Sequence, residues 1–205
     1  MRTLTRRAIP TQARSAVTVE KILNAATEVL VDRGLQGLNT NAVAESAGIN
    51  VATLYHYFPD KVAILAELFV RDQARRSEYL SARISELPSV VDIDSWTTDL
   101  VNSIMDLRRA FPATAVLRQA CRTVPELVSI EDADTAQMSE FLARVLQVRF
   151  SALSAQRAGF AARALIESGA VVLDRASTDE AASAGLIREI ITMVTAYLER
   201  LDSAH

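Results

Sequence analysis

The chain has 205 residues, 50% hydrophobic by composition, with a formal net charge of -3, 6 Gly, 5 Pro and a single Cys. That composition can fill a sizeable core but offers few turn residues, which excludes a β-sandwich with its turn signals every ~8–12 residues and favours helices. The lone Cys121 cannot close an internal disulfide, which fits a reducing, cytoplasmic setting.

Arg2, Arg6, Arg7 and Arg14 lie in a polar N-terminus with no apolar stretch behind them, so a basic arm over residues 1–15 is expected, disordered, and no secretory leader. Val19, Ile22, Leu23, Ala26, Val29 and Leu30 recur at i, i+3, i+4 and i+7 and predict an amphipathic helix over about 17–33, stopped by Gly34. Thr40 is the expected cap of a short second helix ending at Ala47, with Val43, Ala44 and Ala47 inward. Gly48 makes the next turn, and Asn50 caps a third helix over 51–57. Asp60 is placed to cap a long fourth helix, with Leu65, Leu68, Phe69 and Leu80 on one side and Arg71, Arg75, Arg76 and Arg83 on the other.

Further helices are expected near 94–110, 112–123, 125–152 (bent or split near SIEDAD), 156–175 and 179–201. No uninterrupted apolar run reaches the ~18 residues of a membrane span, so no membrane partner is expected. The fold class is therefore all-α: a three-helix head over 16–61 and a larger helical bundle over 62–205, about nine helices in all. Charge divides the same way. Residues 1–61 carry +2 and the remainder -5, so the head is the part suited to a polyanion.

A short helix, a Gly turn and a second short helix form a helix-turn-helix plan. Leu54 and Phe58 share a face that packs inward; Val51, Thr53, Tyr55, His56 and Tyr57 are expected on the opposite face. Hydroxyls and imidazole suit phosphates and base edges, and the methyls of Val51, Ala52 and Thr53 suit thymine.

The run Ala25-Ala26, Gly34, Thr40, Val43-Ala44, Ala47-Gly48-Ile49, Asn50, Thr53-Leu54-Tyr55, His56-Tyr57-Phe58 and Lys61 resembles the DNA-binding head of the TetR family of bacterial transcription regulators. It spans residues 17–65, in order and without gaps. The resemblance implies phosphate contacts at Thr40, Thr53, Tyr55, Tyr57 and Lys61, base or groove contacts at Asn41, Val51, Ala52 and His56, and a DNA-facing cap at Asn50. Two positions depart from the family: Val51 stands where a polar residue is common, and Ala52 where Gly or Pro is.

The resemblance also implies a homodimer built on the last two helices. The expected interface is Phe160, Ala161, Ala164, Leu165, Ser168, Val171 and Val172 on one helix, and Leu186, Ile187, Ile190, Ile191, Val194, Tyr197 and Leu198 on the other. It further implies an effector pocket in the middle helices, for which Trp96, Leu100, Ile104, Met105, Phe111, Leu117, Cys121, Phe141, Val145 and Phe150 are candidates. Arg118 and Arg122 adjoin that set and suit either an anionic effector or surface acids.

The implied function is a repressor, released from a near-palindromic operator by a small, largely apolar effector. An effector-independent architectural DNA binder is the alternative. A helical-bundle enzyme lacks its parts: His56 and His205 are the only histidines, neither has Glu three residues before it, and no metal-ligand spacing or nucleophile set is available. No cofactor is expected.

Overall fold

A computed structural model describes residues 13–121 and 123–202. Among them the chain forms nine α-helices, one 3-10 turn (Leu87–Ser89) and no strand. In chain order the helices are α1 Ala13–Gly37, α2 Thr40–Ser46, α3 Val51–Tyr57, α4 Lys61–Ser85, α5 Ile93–Ala110, α6 Ala113–Cys121, α7 Pro125–Arg149, α8 Ala155–Thr178 and α9 Glu180–Asp202.

Several boundaries differ from the sequence reading for local reasons. Helix α1 begins at Ala13, so the last part of the expected arm is helical; Arg2, Arg6 and Arg7 lie outside the described residues. Gly34 does break the helix, with φ 65° and ψ -174°, but one more helical turn follows it through Gly37. Asn39, not Thr40, caps α2: its side chain accepts from the Ala42 amide at 2.9 Å. Asn50 caps α3 through the Ala52 amide at 2.8 Å, and Asp60 accepts from the Ala63 amide at 2.9 Å ahead of α4. Helix α7 is continuous across SIEDAD, with Pro125 in its first turn, where a missing N–H costs nothing.

The chain packs as two compact units. One contains residues up to Gln73 together with Pro112–Ile130; the other contains Ala74–Phe111 and the chain from Glu131 onward. The head's packing unit thus extends beyond residue 61 and takes in α6. Its core joins Ile22, Leu30, Leu38, Val43, Leu54, Phe58, Ile64 and Phe69 with Leu117, Ala120, Cys121 and Leu127. Helix α6 is also tied to α4 by a buried bond in which the Thr114 hydroxyl donates to Asp72 at 2.6 Å.

The second unit has two apolar clusters. One gathers Trp96, Leu100, Met138, Leu142, Leu146, Phe150, Ala158, Ala161, Leu198 and Leu201; the other gathers Val101, Met105, Leu173, Ala176 and Ile190. Ile104 and Val194 pack against both. Helix α9 is long and apolar enough, by length and composition, to cross a membrane. Arg188 and Glu189 interrupt its apolar run, and Ile190, Leu198 and Leu201 are packed into the bundle.

Candidate nucleic-acid interface

Helices α2 and α3 are held at their angle by a short turn and a shared wedge. Gly48 adopts φ 60°, a left-handed conformation that costs a residue with a Cβ about 1 kcal/mol or more. Its amide donates to Glu45 O and the Ile49 amide to Ala44 O, both at 3.0 Å, which closes the C-terminus of α2. Ile49 is partly buried against the head core, and Leu54 and Phe58 are fully buried there. The Phe58 amide closes α3 by donating to Leu54 O at 2.9 Å.

This packing decides which side chains of α3 face solvent. Ala52, Thr53, Tyr55 and His56 are exposed. Tyr57 is not: it is only 8% exposed and belongs to the head core, which corrects its assignment to the outer face. The reason is helical spacing. Tyr57 follows Leu54 by three residues and Phe58 follows it by four, so all three share one stripe. His56 stands against Tyr57 edge-to-face, with centroids 5.0 Å apart and rings at 84°, so the buried ring braces the exposed one. Val51 is half-buried against the head core, which leaves little of it for a base contact.

The neighbouring elements add to this face. The Thr40 and Tyr55 hydroxyls are 3.0 Å apart, tying the start of α2 to the middle of α3. Only one can donate to the other, so one O–H remains for an outside acceptor. Asn41 is exposed beside Thr40. Lys61 is exposed, and its Nζ donates to Leu38 O at 3.3 Å; an ammonium has two further donors to offer. No acid occurs between Asn50 and Phe58. The surface therefore presents hydroxyl, amide, imidazole and ammonium groups without a carboxylate on α3, which is chemistry for phosphate oxygens and base edges.

Three arginines of α4 have partners of their own. Arg71 bonds Glu20 at 2.8 Å and Glu67 at 3.0 Å. Desolvation lowers the Arg71 pKa, and the hydrogen bonds and charges of the two glutamates outweigh it, so the group sits above its ordinary value. The Arg75 guanidinium lies 3.7 Å over the Phe111 ring, and Arg83 pairs with Glu86 at 2.7 Å.

Residues 22–68 match the family described as bacterial regulatory proteins, tetR family, and residues 92–198 match the tetracyclin repressor-like C-terminal domain. The chain belongs to the TetR family. Tetracycline repressor protein class D of Escherichia coli is 36% identical over 91 residues, covering 44% of this chain and 38% of that protein. The match thus spans well under half of that relative's length. A TetR-family transcriptional regulator from Pectobacterium atrosepticum has the same fold, with a TM-score of 0.66 at 20% identity, covering 93% of this chain and 95% of that one. The multidrug binding protein EbrR, complexed with imidazole, gives a TM-score of 0.65 at 17% identity over 86% of this chain and 93% of its own.

In this TetR-family chain the residues expected to line a pocket fall in different cores. Leu117 and Cys121 are buried in the head core, where α6 packs. Trp96, Leu100 and Phe150 are buried in the larger bundle cluster, with Ile104, Phe141 and Val145 against it; Met105 belongs to the smaller cluster. Phe111 is half-buried under Arg75. Arg118 is half-buried, and Arg122 lies outside the described residues.

The expected dimer residues also divide. Ala161, Ile190 and Leu198 are buried within the bundle and cannot meet a second chain. Phe160 (69% exposed), Val171, Met193 and Tyr197 are large apolar groups left in solvent on α8 and α9, with Ala164 exposed and Leu165, Ser168, Val172, Leu186, Ile187, Ile191 and Val194 partly so. Met193 was not among the residues expected from the sequence, because it lies outside the i, i+3, i+4 set that runs from Leu186 to Leu198.

Proposed function

We propose that the chain is a cytoplasmic, DNA-binding transcriptional regulator, a repressor released from a near-palindromic operator by a small, largely apolar effector. The observation that carries this reading is the acid-free, solvent-facing set Thr53, Tyr55 and His56 on a short helix fixed by Leu54 and Phe58. Ala52 offers a methyl for thymine, and His56 is the group on this face best suited to read a base edge. Thr40, Tyr55 and Lys61 suit phosphates. A multidrug binding protein among its structural relatives supports a small-molecule effector for the bundle. That effector would favour a conformation whose two recognition helices no longer match the half-sites, by its differential affinity for the two states.

The direct test is selection of bound fragments from random DNA, followed by titration at two salt concentrations. His56→Ala is expected to cost about 1–3 kcal/mol on the selected site while leaving non-specific binding unchanged. Lys61→Ala is expected to weaken binding to all sequences and flatten the salt dependence by about one unit of slope. Equal losses on selected and random DNA for His56→Ala would remove it from base reading.

Two half-sites about 34–36 Å apart require a two-fold dimer. The exposed apolar face of α8 and α9 supports one, since patches of this kind on a soluble protein mark contact surfaces. Phe160→Asp with Tyr197→Asp is expected to give a monomer in sedimentation, with a correctly folded head and strongly reduced operator affinity. A dimer that survives both changes would place the interface elsewhere. An effector-independent architectural role would appear as operator affinity that no bundle ligand moves.

A further inference from the structure

The bundle core contains polar atoms that its own packing leaves without a partner. Trp96 Nε1, Thr97 Oγ1 and Thr195 Oγ1 are all withdrawn from solvent and make no hydrogen bond. The residues themselves are buried, Thr97 completely. Buried donors are paired in the great majority of native structures, because an unmade bond leaves the full desolvation penalty in place. Three such groups in one region call for a common partner.

They belong to one region. Trp96 and Thr97 are consecutive on α5, and Thr195 is on α9, which packs along α5. Trp96 and Leu100 of α5 share a cluster with Leu198 and Leu201 of α9, while Val101 and Met105 share the other with Ile190. The two helices therefore run antiparallel, and Thr97 and Thr195 both fall near the border between the clusters. Thr97 lies one turn before Val101, and Thr195 one turn before Leu198.

We propose that Trp96, Thr97 and Thr195 form a hydrogen-bonding subsite for a neutral carbonyl-type oxygen on the effector, whose apolar body lies against the flanking clusters. The chemistry follows from the donors. An indole N–H can only donate, and each threonine hydroxyl can donate, so the complementary group is an acceptor; a carbonyl oxygen, with two lone pairs, takes two of the three donors at a time. It is neutral because no basic residue occurs between Trp96 and Leu107 on α5 or between Ile190 and Leu198 on α9, and the bases that border the larger cluster are paired with acids, Arg83 with Glu86 and Arg149 with Asp202. Arg108, the next base along α5, is held by Asp174. A purely apolar effector would leave all three donors unpaired and is therefore the poorer ligand. This inference rests on the effector reading above and narrows it from a largely apolar molecule to an apolar ketone-like one.

The test uses the full chain and matched probes: phenyl ketones from propiophenone to heptanophenone, each with the alkylbenzene in which CH2 replaces the carbonyl. Trp96 is the only tryptophan, so its emission reports on the site directly. At least one ketone is expected to bind about tenfold or more tightly than its hydrocarbon, by emission and calorimetry. Thr97→Val with Thr195→Val is expected to erase that preference. The same double variant, free of ligand, is expected to melt higher, by about 2–4 °C per hydroxyl removed. A lower melting temperature would mean that the hydroxyls are satisfied within the fold, and would overturn the proposal. Equal affinity for ketone and hydrocarbon, or no binding across the series, would overturn it too. A ketone that binds with the stated preference yet leaves operator affinity unmoved would instead reject release by the effector, and leave the subsite standing.

Discussion

Phe58→Ala is expected to cost about 3–5 kcal/mol of stability and to abolish operator binding at temperatures where the wild type is saturated. Phe58 is fully buried and ends α3 in an extended conformation, φ -124° and ψ 122°. Its ring shares the head core with Leu38, Val43, Leu54 and Ile64, so truncation removes apolar burial and leaves a cavity among side chains from α2, α3 and α4. A domain of this kind has a total stability of only about 5–15 kcal/mol, so the loss is a large share of it. Denaturant titration followed by circular dichroism measures the cost; operator titration measures the consequence. Phe58→Leu, which keeps most of the volume, is expected to lose about 1.5 kcal/mol or less and to bind DNA. Tyr55→Phe separates packing from contact: the variant should retain the melting temperature to within a degree or two while losing its part in the Thr40 hydroxyl pair. If Phe58→Ala bound the operator at wild-type affinity, the inward ring would not be what orients the recognition helix.

The same residues show what a sequence makes legible. Leu54 and Phe58 could be assigned inward because i, i+4 spacing of apolar groups has one cheap solution. Tyr57 obeyed the same rule at i+3 and was misplaced because a hydroxyl on an aromatic ring reads equally well as a DNA contact. Local signals such as Gly48, Asn50 and Asp60 translated directly into a positive φ and two caps, since each acts within three residues of itself. Asn39 was legible on the same grounds, and the adjacent Thr40 obscured it. Pairings across many residues were not legible: the Thr40–Tyr55 hydroxyl pair, the Thr114–Asp72 bond and the seating of α6 in the head core depend on which helices meet. Periodicity says that a face is buried and does not say against what. For the same reason Leu117 and Cys121 read as part of one apolar set with Trp96 and Phe150, although they pack in another core.

Asp174→Ala is expected to be among the most damaging single changes in the bundle, at about 3–5 kcal/mol, because it removes a carboxylate paired with a largely buried cation. Arg108 on α5 donates to Asp174 on α8 at 2.7 Å, and the two side chains are 9% and 11% exposed. Apolar residues close the surroundings: Met105 lies one turn before Arg108, and Leu173 and Ala176 flank Asp174. The Ser177 hydroxyl also accepts from Arg108 at 3.2 Å, a neutral contact too weak to replace the carboxylate. Helix dipoles favour one partner and not the other. Arg108 sits in the last turn of α5, where a cation is welcome; Asp174 lies near the C-terminal end of α8, where an anion is not. The carboxylate is therefore held there by Arg108 and not by its own helix. A pair of this kind need not add net stability over an apolar contact of the same shape, so Arg108→Met with Asp174→Leu is expected to recover most of the loss seen in either single variant. The double-mutant cycle measures the coupling, and a value below about 1 kcal/mol would show a solvated pair of little consequence. A large coupling would identify the pair as what fixes α5 against α8. The double variant would then keep its melting temperature while losing the single register of the two helices, visible as broadened side-chain resonances in the cluster around Met105. Thr97 lies on α5 two turns before Met105, so loosened α5 packing should also weaken ligand binding at the Trp96 subsite without any change to the residues that form it.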